Sequence, residues 1–247
     1  MSKVALGITA FLNLALSAVY SFPLFSPPSR FLLSLKATSE ETCPQQSTAT
    51  KDFDTILRSR RTISSFEPAL PHGWEEIIQR AIESAIHAPN HKRTEPWRFH
   101  LLGPKTAQRV CELNAAIVTE KKGAKAGERK LERWLTMPGW LVVTCVSDNV
   151  SGEGSTMESM DKPSGRARED YAACCCAVQN LCLSLHAAGL GTKWGTGGVN
   201  FDPRFSDIVG LSANEYVVGT IWFGNPQKIP EVPPKKRSLE HVLVRHD

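Results

Sequence analysis

The chain has 247 residues, a net charge of +4, 41% hydrophobic and 22% charged residues. A chain of this length and ordinary composition can bury roughly 70% of its unfolded surface, so it needs neither disulfide nor metal to fold. Much of the mild positive charge sits in Glu120 to Arg133, where Glu120, Glu128 and Glu132 interleave the bases. That pattern reads as a solvated helical face and argues against a nucleic-acid partner.

The chain opens with Lys3 and an apolar stretch, Val4 to Val19, too short and interrupted for a stable membrane span. Small residues Ser17 and Ala18 sit where a signal peptidase cuts. A Ser- and Pro-rich segment follows, with Arg30 and Lys36 and no acid before Glu40. A signal-like piece followed by a transit-like piece resembles the two-part plastid leader of algae with complex plastids, including Phe22 near the junction. Residues 1–50 are therefore expected to be a targeting segment and residues 51–247 one folded domain. A single signal peptide or a mitochondrial leader are the alternatives.

From Phe53 no repeat or long linker divides the chain. Asp52 is expected to cap a helix running to Arg61, and "GWEEIIQRAIESAIHA" to form a second, stopped by Pro89. "WRFHLLG" reads as a strand, followed by helices over about Lys105 to Lys121 and Glu128 to Thr136. "GWLVVTCVS" is almost continuously apolar, the pattern of a strand buried on both faces. A long helix over Gly165 to Ala188 is apolar nearly all round, so it belongs at the centre or in a subunit interface. Gly189 suits its left-handed cap. "TKWGTGGV" is a strand or turn, "EYVVGTIWFG" a buried strand, and "PPKKRSLEHVLV" an extended arm. With no Rossmann glycine fingerprint and no P-loop, the class is α+β.

The cysteines number seven, an odd count without a Cys-x-x-Cys pair. Adjacent Cys174, Cys175 and Cys176 point in three directions on a helix and cannot converge on one metal. Buried free thiols in a reducing compartment are the expectation. No metal site is expected.

Four pieces carry candidate chemistry. Arg60 and Arg61 at a helix end are favoured by the helix dipole, and with Thr62 alongside they also suit a phosphate. "HAPNHKRTEPWRFHLL" places His91, Lys92 and Arg93 between two stiffening prolines, Pro89 and Pro96, ahead of Trp97. "GLGTKWGTGG" joins Trp194 to backbone free to approach a flat ligand. Lys235 and Arg237 occupy alternate positions of an extended segment and face one way.

In this order, "RRT-x-x-x-F", "APNHKRTEPWRF", "AAGLGTKWGTG", "VVGTIWFGNP" and the closing "K-x-R" resemble the FMN-dependent nitroreductase family. The resemblance covers about residues 53–240 and is closest to the small bacterial branch with "AP-D-HK-x-x-QPWRF". It implies an α+β sandwich with a central mixed, mostly antiparallel sheet flanked by helices, built as an intertwined homodimer with FMN at the interface. By the same resemblance Arg60, Arg61 and Thr62 hold the FMN phosphate and its neighbours, and His87 and His91 contact the cofactor. Trp194, Gly195 and Thr196 pack along the isoalloxazine, and Lys235 and Arg237 close on the phosphate. Ser184, Leu185, His186, Ala187, Ala188 and Gly189 match a stretch assigned to NAD(P).

The implied activity is hydride transfer from NADH or NADPH through FMN to an electron-poor acceptor (a nitro compound, quinone or similar) in ping-pong fashion. It needs no protein nucleophile or general base, so no catalytic residue is expected. The chain departs from the pattern at Ser64, His87 and Glu95, where an Arg, an Arg and a Gln are usual. Those departures motivate the alternative, a flavin-binding or flavin-modifying protein without reductase turnover.

Overall fold

The computed structural model describes residues 48–146, 165–233 and 235–246. The expected leader, apart from its last three residues, and Cys43 lie outside them. The folded unit spans Gln46–Asp247. Its helices are α1 (Thr48–Ser59), α2 (Trp74–Ala85), α3 (Pro104–Lys122), α4 (Ala124–Leu135), α5 (Gly165–Ala187) and α6 (Pro203–Val209). Its strands are β1 (Trp97–Leu101), β2 (Gly139–Val146), β3 (Gly191–Gly195) and β4 (Glu215–Gly224). Among the described residues no helix is long and apolar enough to cross a membrane.

The strands form one sheet in the order β1-β2-β4-β3, and every neighbouring pair is antiparallel. Among the described residues the parallel element expected of a mixed sheet is a single bridge, Thr62 to Thr192, at the β3 edge. A register shift at Val143/Thr144 marks a bulge between β2 and β4, which adds local twist.

Both faces of the sheet are covered. On one, α2 and α5 pack Ile78, Ala81, Ala177, Val178, Leu181 and Leu185 onto Leu141, Val143, Ile221 and Phe223. On the other, Val110, Cys111 and Leu113 of α3 and Phe205 of α6 meet Trp140, Val142 and Trp222. Alternate side chains of β2 therefore go to different cores, and seven of its eight residues are buried, which accounts for its unbroken apolar run. Helices α3 and α4 pack closely at Gly127, where a Cβ would overlap the Thr119 hydroxyl and the Ala115 carbonyl.

Helix α5 ends one residue before its expected limit, in a cap of the anticipated kind. Gly189 has φ +86°, its N–H donates to the His186 carbonyl, and the Leu190 N–H donates to Leu185 at 2.9 Å. Those two bonds define a Schellman motif, completed by Leu185 and Leu190 packing in one core. The helix is not buried all round within one chain: Ala172, Cys176, Gln179 and Ala187 are exposed and Leu183 is half-buried, along one stripe. Cys174 and Cys182 are buried, but Cys176 is exposed, a correction to the expectation of buried thiols throughout.

Other boundaries shift for local reasons. Asp52 lies inside α1 rather than capping it, because nothing from Thr48 onward breaks a helix. The helix ends at Ser59, so Arg60 and Arg61 follow it. Helix α4 begins at Ala124, since Ala-Lys-Ala favours helix directly after Gly123. Helix α2 ends at Ala85, ahead of Pro89, with Ala88 turning back onto Ala85 at 3.0 Å. The C-terminal arm has no strand among its described residues: it bends at Lys236 and Arg237, a departure from the extended segment expected there, and forms a short 3-10 turn over Leu239–His241.

Candidate functional site

The C-terminal end of α5 gathers residues from distant parts of the chain. Thr62 bridges Thr192, and the Ile63 N–H donates to the Thr192 carbonyl at 2.9 Å, which ties the segment after α1 to β3. Ser59 Oγ lies 2.8 Å from His186 Nε2. Burial, then the neighbouring Arg60 and Arg61, hold the His186 imidazole below its ordinary range, so the ring is neutral at pH 7. Arg61 Nη1 donates to the carbonyls of Arg58 and Arg60, both at 2.6 Å. Its Nε is a buried donor without a partner among the described residues. A depression of about 490 Å³ beside it is lined by Thr55, Arg58, Ser59, Arg61 and residues Ile229 to Val232, so the start of the C-terminal arm passes these bases.

Beyond Thr192, Trp194 is about one-third exposed, at 37%, and its Nε1–H donates to the Val218 carbonyl at 3.3 Å. Gly219 leaves room for that indole, which a Cβ would strike. Gly195 is fixed from behind: Asn200 Nδ2 donates to its carbonyl at 3.1 Å, and Thr220 Oγ1 donates to Asn200 Oδ1 at 3.1 Å. Thr196, Gly197 and Gly198 are exposed, and open space surrounds the two glycines. Asn200 and Thr220 were not legible as site residues, because no periodicity marks a polar side chain for burial.

The other end of α5 meets the loop at His91, while His87 is exposed just after α2, whose Ser84 carbonyl accepts from Asn180 of α5 at 3.5 Å. His91 Nδ1 is 3.9 Å from Glu169, and Thr94 Oγ1 donates to buried Asp170 at 2.7 Å. Asn90 Oδ1 accepts from the Glu95 N–H at 3.1 Å. Lys92, Arg93 and Glu95 have φ of 52°, 55° and 45°, a left-handed backbone that non-glycine residues adopt at a cost. Buried Trp97 anchors the following strand in the α2/α5 core. Among the described residues the Glu95 carboxylate pairs with neither Arg93 nor Arg98; Arg98 donates instead to the Trp97 carbonyl at 2.8 Å.

Glu169 and His186 are seventeen residues apart along α5, about 25 Å of helix. His91 therefore does not meet Arg60, Arg61 and Thr62 within one chain. Of the stretch Ser184 to Gly189, His186 faces Ser59, Leu185 is fully buried in the core, and Ala187, Ala188 and Gly189 are exposed. Lys235 and Arg237 are exposed and make no hydrogen bond or ion pair with the described residues.

The Nitroreductase family profile matches residues 57–225, and the chain belongs to that family. Its fold is nitroreductase-like, an antiparallel sheet flanked by helices. The chain is 32% identical over 189 residues to the NAD(P)H nitroreductase YfhC of Bacillus subtilis, covering 74% of this chain and 88% of that protein. It is 23% identical over 176 residues to YdjA of Escherichia coli K12, named in the same way, covering 70% and 87%. Among solved structures, a nitroreductase-like family protein from Bacillus cereus superposes with a TM-score of 0.65 at 26% identity, covering 85% of this chain and all of that one. A nitroreductase from Desulfovibrio desulfuricans, solved in complex with FMN, shares the fold with a TM-score of 0.57 at 20% identity, over 79% and 96%.

Proposed function

We propose that the protein is an FMN-dependent oxidoreductase that takes reducing equivalents from NADH or NADPH and passes them to an electron-poor small molecule, donor and acceptor using one cleft in turn. The observation that carries this reading is the junction at Thr62–Thr192. It sets two arginines beside a strand that presents an exposed indole and open glycine backbone. FMN fits these residues. Arg61 Nε is a buried donor awaiting an acceptor, and the space around Gly197 and Gly198 admits a planar ring. When bound, FMN supplies hydride chemistry.

The protein's part is binding and orientation. Arg60, Arg61 and the Thr62 hydroxyl take the phosphate, with Lys235 and Arg237 brought to it by the arm. Trp194, Gly195 and Thr196 line the ring, and the bond from Asn200 holds Gly195 in place. Ser184 to Gly189 border the dinucleotide side. No side chain acts as nucleophile or general base in this reading.

The separation of the two ends of α5 supports a homodimer in which one protomer brings Arg60 to Thr62 and its partner brings His87 and His91. The uncharged exposed stripe of α5 suits that interface. So does the C-terminal arm, where Ile229, Val232, Leu239, Val242 and Val244 are each more than half exposed in a single chain.

Two experiments test this. Purified protein should be yellow and bleached by NADH or NADPH; bound flavin that neither nucleotide reduces would favour the non-reductase alternative. Mixed dimers of an Arg60→Ala/Arg61→Ala chain with a His87→Ala/His91→Ala chain should retain one competent site of two. No recovery in the mixture would sink the composite site. Plastid import by residues 1–50 is part of the proposal and is checked by fusing them to a fluorescent protein.

A further inference from the structure

Three cations meet on the face of β3 opposite Trp194. Alternation along the strand sends Lys193 and Gly195 toward Trp222, and Thr192 and Trp194 to the α5 side. Lys193 Nζ lies 5.3 Å from the centre of the Trp222 ring. Lys130 Nζ, from α4, lies 5.8 Å from Trp134. The two indoles touch edge to face at 5.0 Å, so both ammonium groups rest on one aromatic floor. Arg133 follows Lys130 by three residues, on the same side of α4. An open depression of about 740 Å³ is lined by Arg129, Lys130, Glu132, Arg133 and Thr136.

Glu132 is the one acid lining the depression, against Arg129, Lys130 and Arg133, so the cluster is neutralised only in part. Burial, then Arg133 and Lys130, hold the Lys193 ammonium below the usual lysine range. Among the described residues none of the three cations lies within ion-pair distance of an acid. The indole faces and the carbonyl end of α4 offset the repulsion only in part, and Lys193 arrives from a strand. Two ammonium groups and a guanidinium fork, drawn from two elements and outnumbering the Glu132 carboxylate at the depression, match the oxygens of a dianion.

We propose that Lys130, Arg133 and Lys193 form a binding site for the phosphate group of a small molecule, separate from the Arg60–Arg61 cluster on the α5 side. The phosphate has two possible sources: free inorganic phosphate or pyrophosphate, and the extra phosphate that distinguishes NADPH from NADH. Only the second source rests on the reductase reading.

Calorimetric titration of the purified protein with pyrophosphate tests the site directly. Lys193→Met keeps an apolar stem over Trp222, and Arg133→Gln changes an exposed residue, so both preserve the fold. Each should weaken pyrophosphate by about tenfold, and the pair should abolish saturable binding. Binding that survives both substitutions and disappears in Arg60→Ala would place the anion at the other cluster and overturn the proposal, as would no saturable binding to the unaltered protein. In steady-state assays, a KM for NADPH that rises in Lys193→Met while that for NADH stays constant identifies the dinucleotide as the source. Unchanged values for both assign the site to free phosphate. A protein without NAD(P)H turnover still answers in the calorimeter, so failure of the reductase reading and failure of this site are told apart.

Discussion

The two ends of α5 solve the same problem differently. At the C-terminal end, Arg60, Arg61, Thr62, Trp194 and Gly195 come from separate segments, and regular structure holds them: a β-bridge, a Schellman cap and the edge strand. At the N-terminal end, one contiguous stretch supplies everything, and its backbone is strained at Lys92, Arg93 and Glu95. Side-chain bonds to Asn90 and Asp170 restrain it. Assembled sites gain rigidity from the fold, whereas a contiguous one needs local clamps. The proposed homodimer joins the two kinds of end, one from each protomer.

The largest test of this contrast is at the assembled end. Replacing Arg60 and Arg61 together with alanine should weaken FMN retention by about a hundredfold or more, since two charge-assisted contacts are lost. Equilibrium dialysis measures it, and unchanged retention would remove the phosphate assignment. At the clamped end, Asp170→Ala leaves the Thr94 hydroxyl without its buried acceptor. It should cost about 1–3 kcal/mol in urea denaturation and impair turnover more than flavin retention. Gly189→Ala forces a side chain into a left-handed backbone and should cost about 1–2 kcal/mol; a smaller loss would mean the cap is not a rigid element.

The smallest effect concerns His186. Its pKa in the folded chain lies below the ordinary value of 6.5. The unfolded chain therefore binds the proton first as pH falls through about 6.5. Stability should decline over the window just below that pH, then level off once the folded ring is also protonated. His186→Gln should flatten the decline, as read from thermal midpoints between pH 7 and pH 5.

What the sequence made legible follows from the same contrast. The loop was visible because Pro89, Pro96 and Trp97 stand together in the chain. Helix α5 was placed to within one residue because its apolar run and its glycine stop are local signals. The contact of Thr62 with Thr192 was invisible, since a single parallel bridge leaves no pattern in either segment. Nor did the sequence show the strain at Lys92 and Glu95. Two prolines announce stiffness, but which residues take positive φ depends on where Asn90 and Asp170 hold the loop. The basic run Glu120 to Arg133 read as a solvated face; only the fold reveals that Lys130 and Arg133 look toward a strand lysine.

Helix α5 also offers a reporter. Cys176 is the one exposed thiol among the described residues, and it sits on the uncharged stripe with Ala172 and Gln179. A maleimide should modify it quickly in dissociated chains and slowly in assembled ones. The rate of a simple alkylation, followed against protein concentration, then becomes a footprint of self-association that needs neither flavin nor substrate.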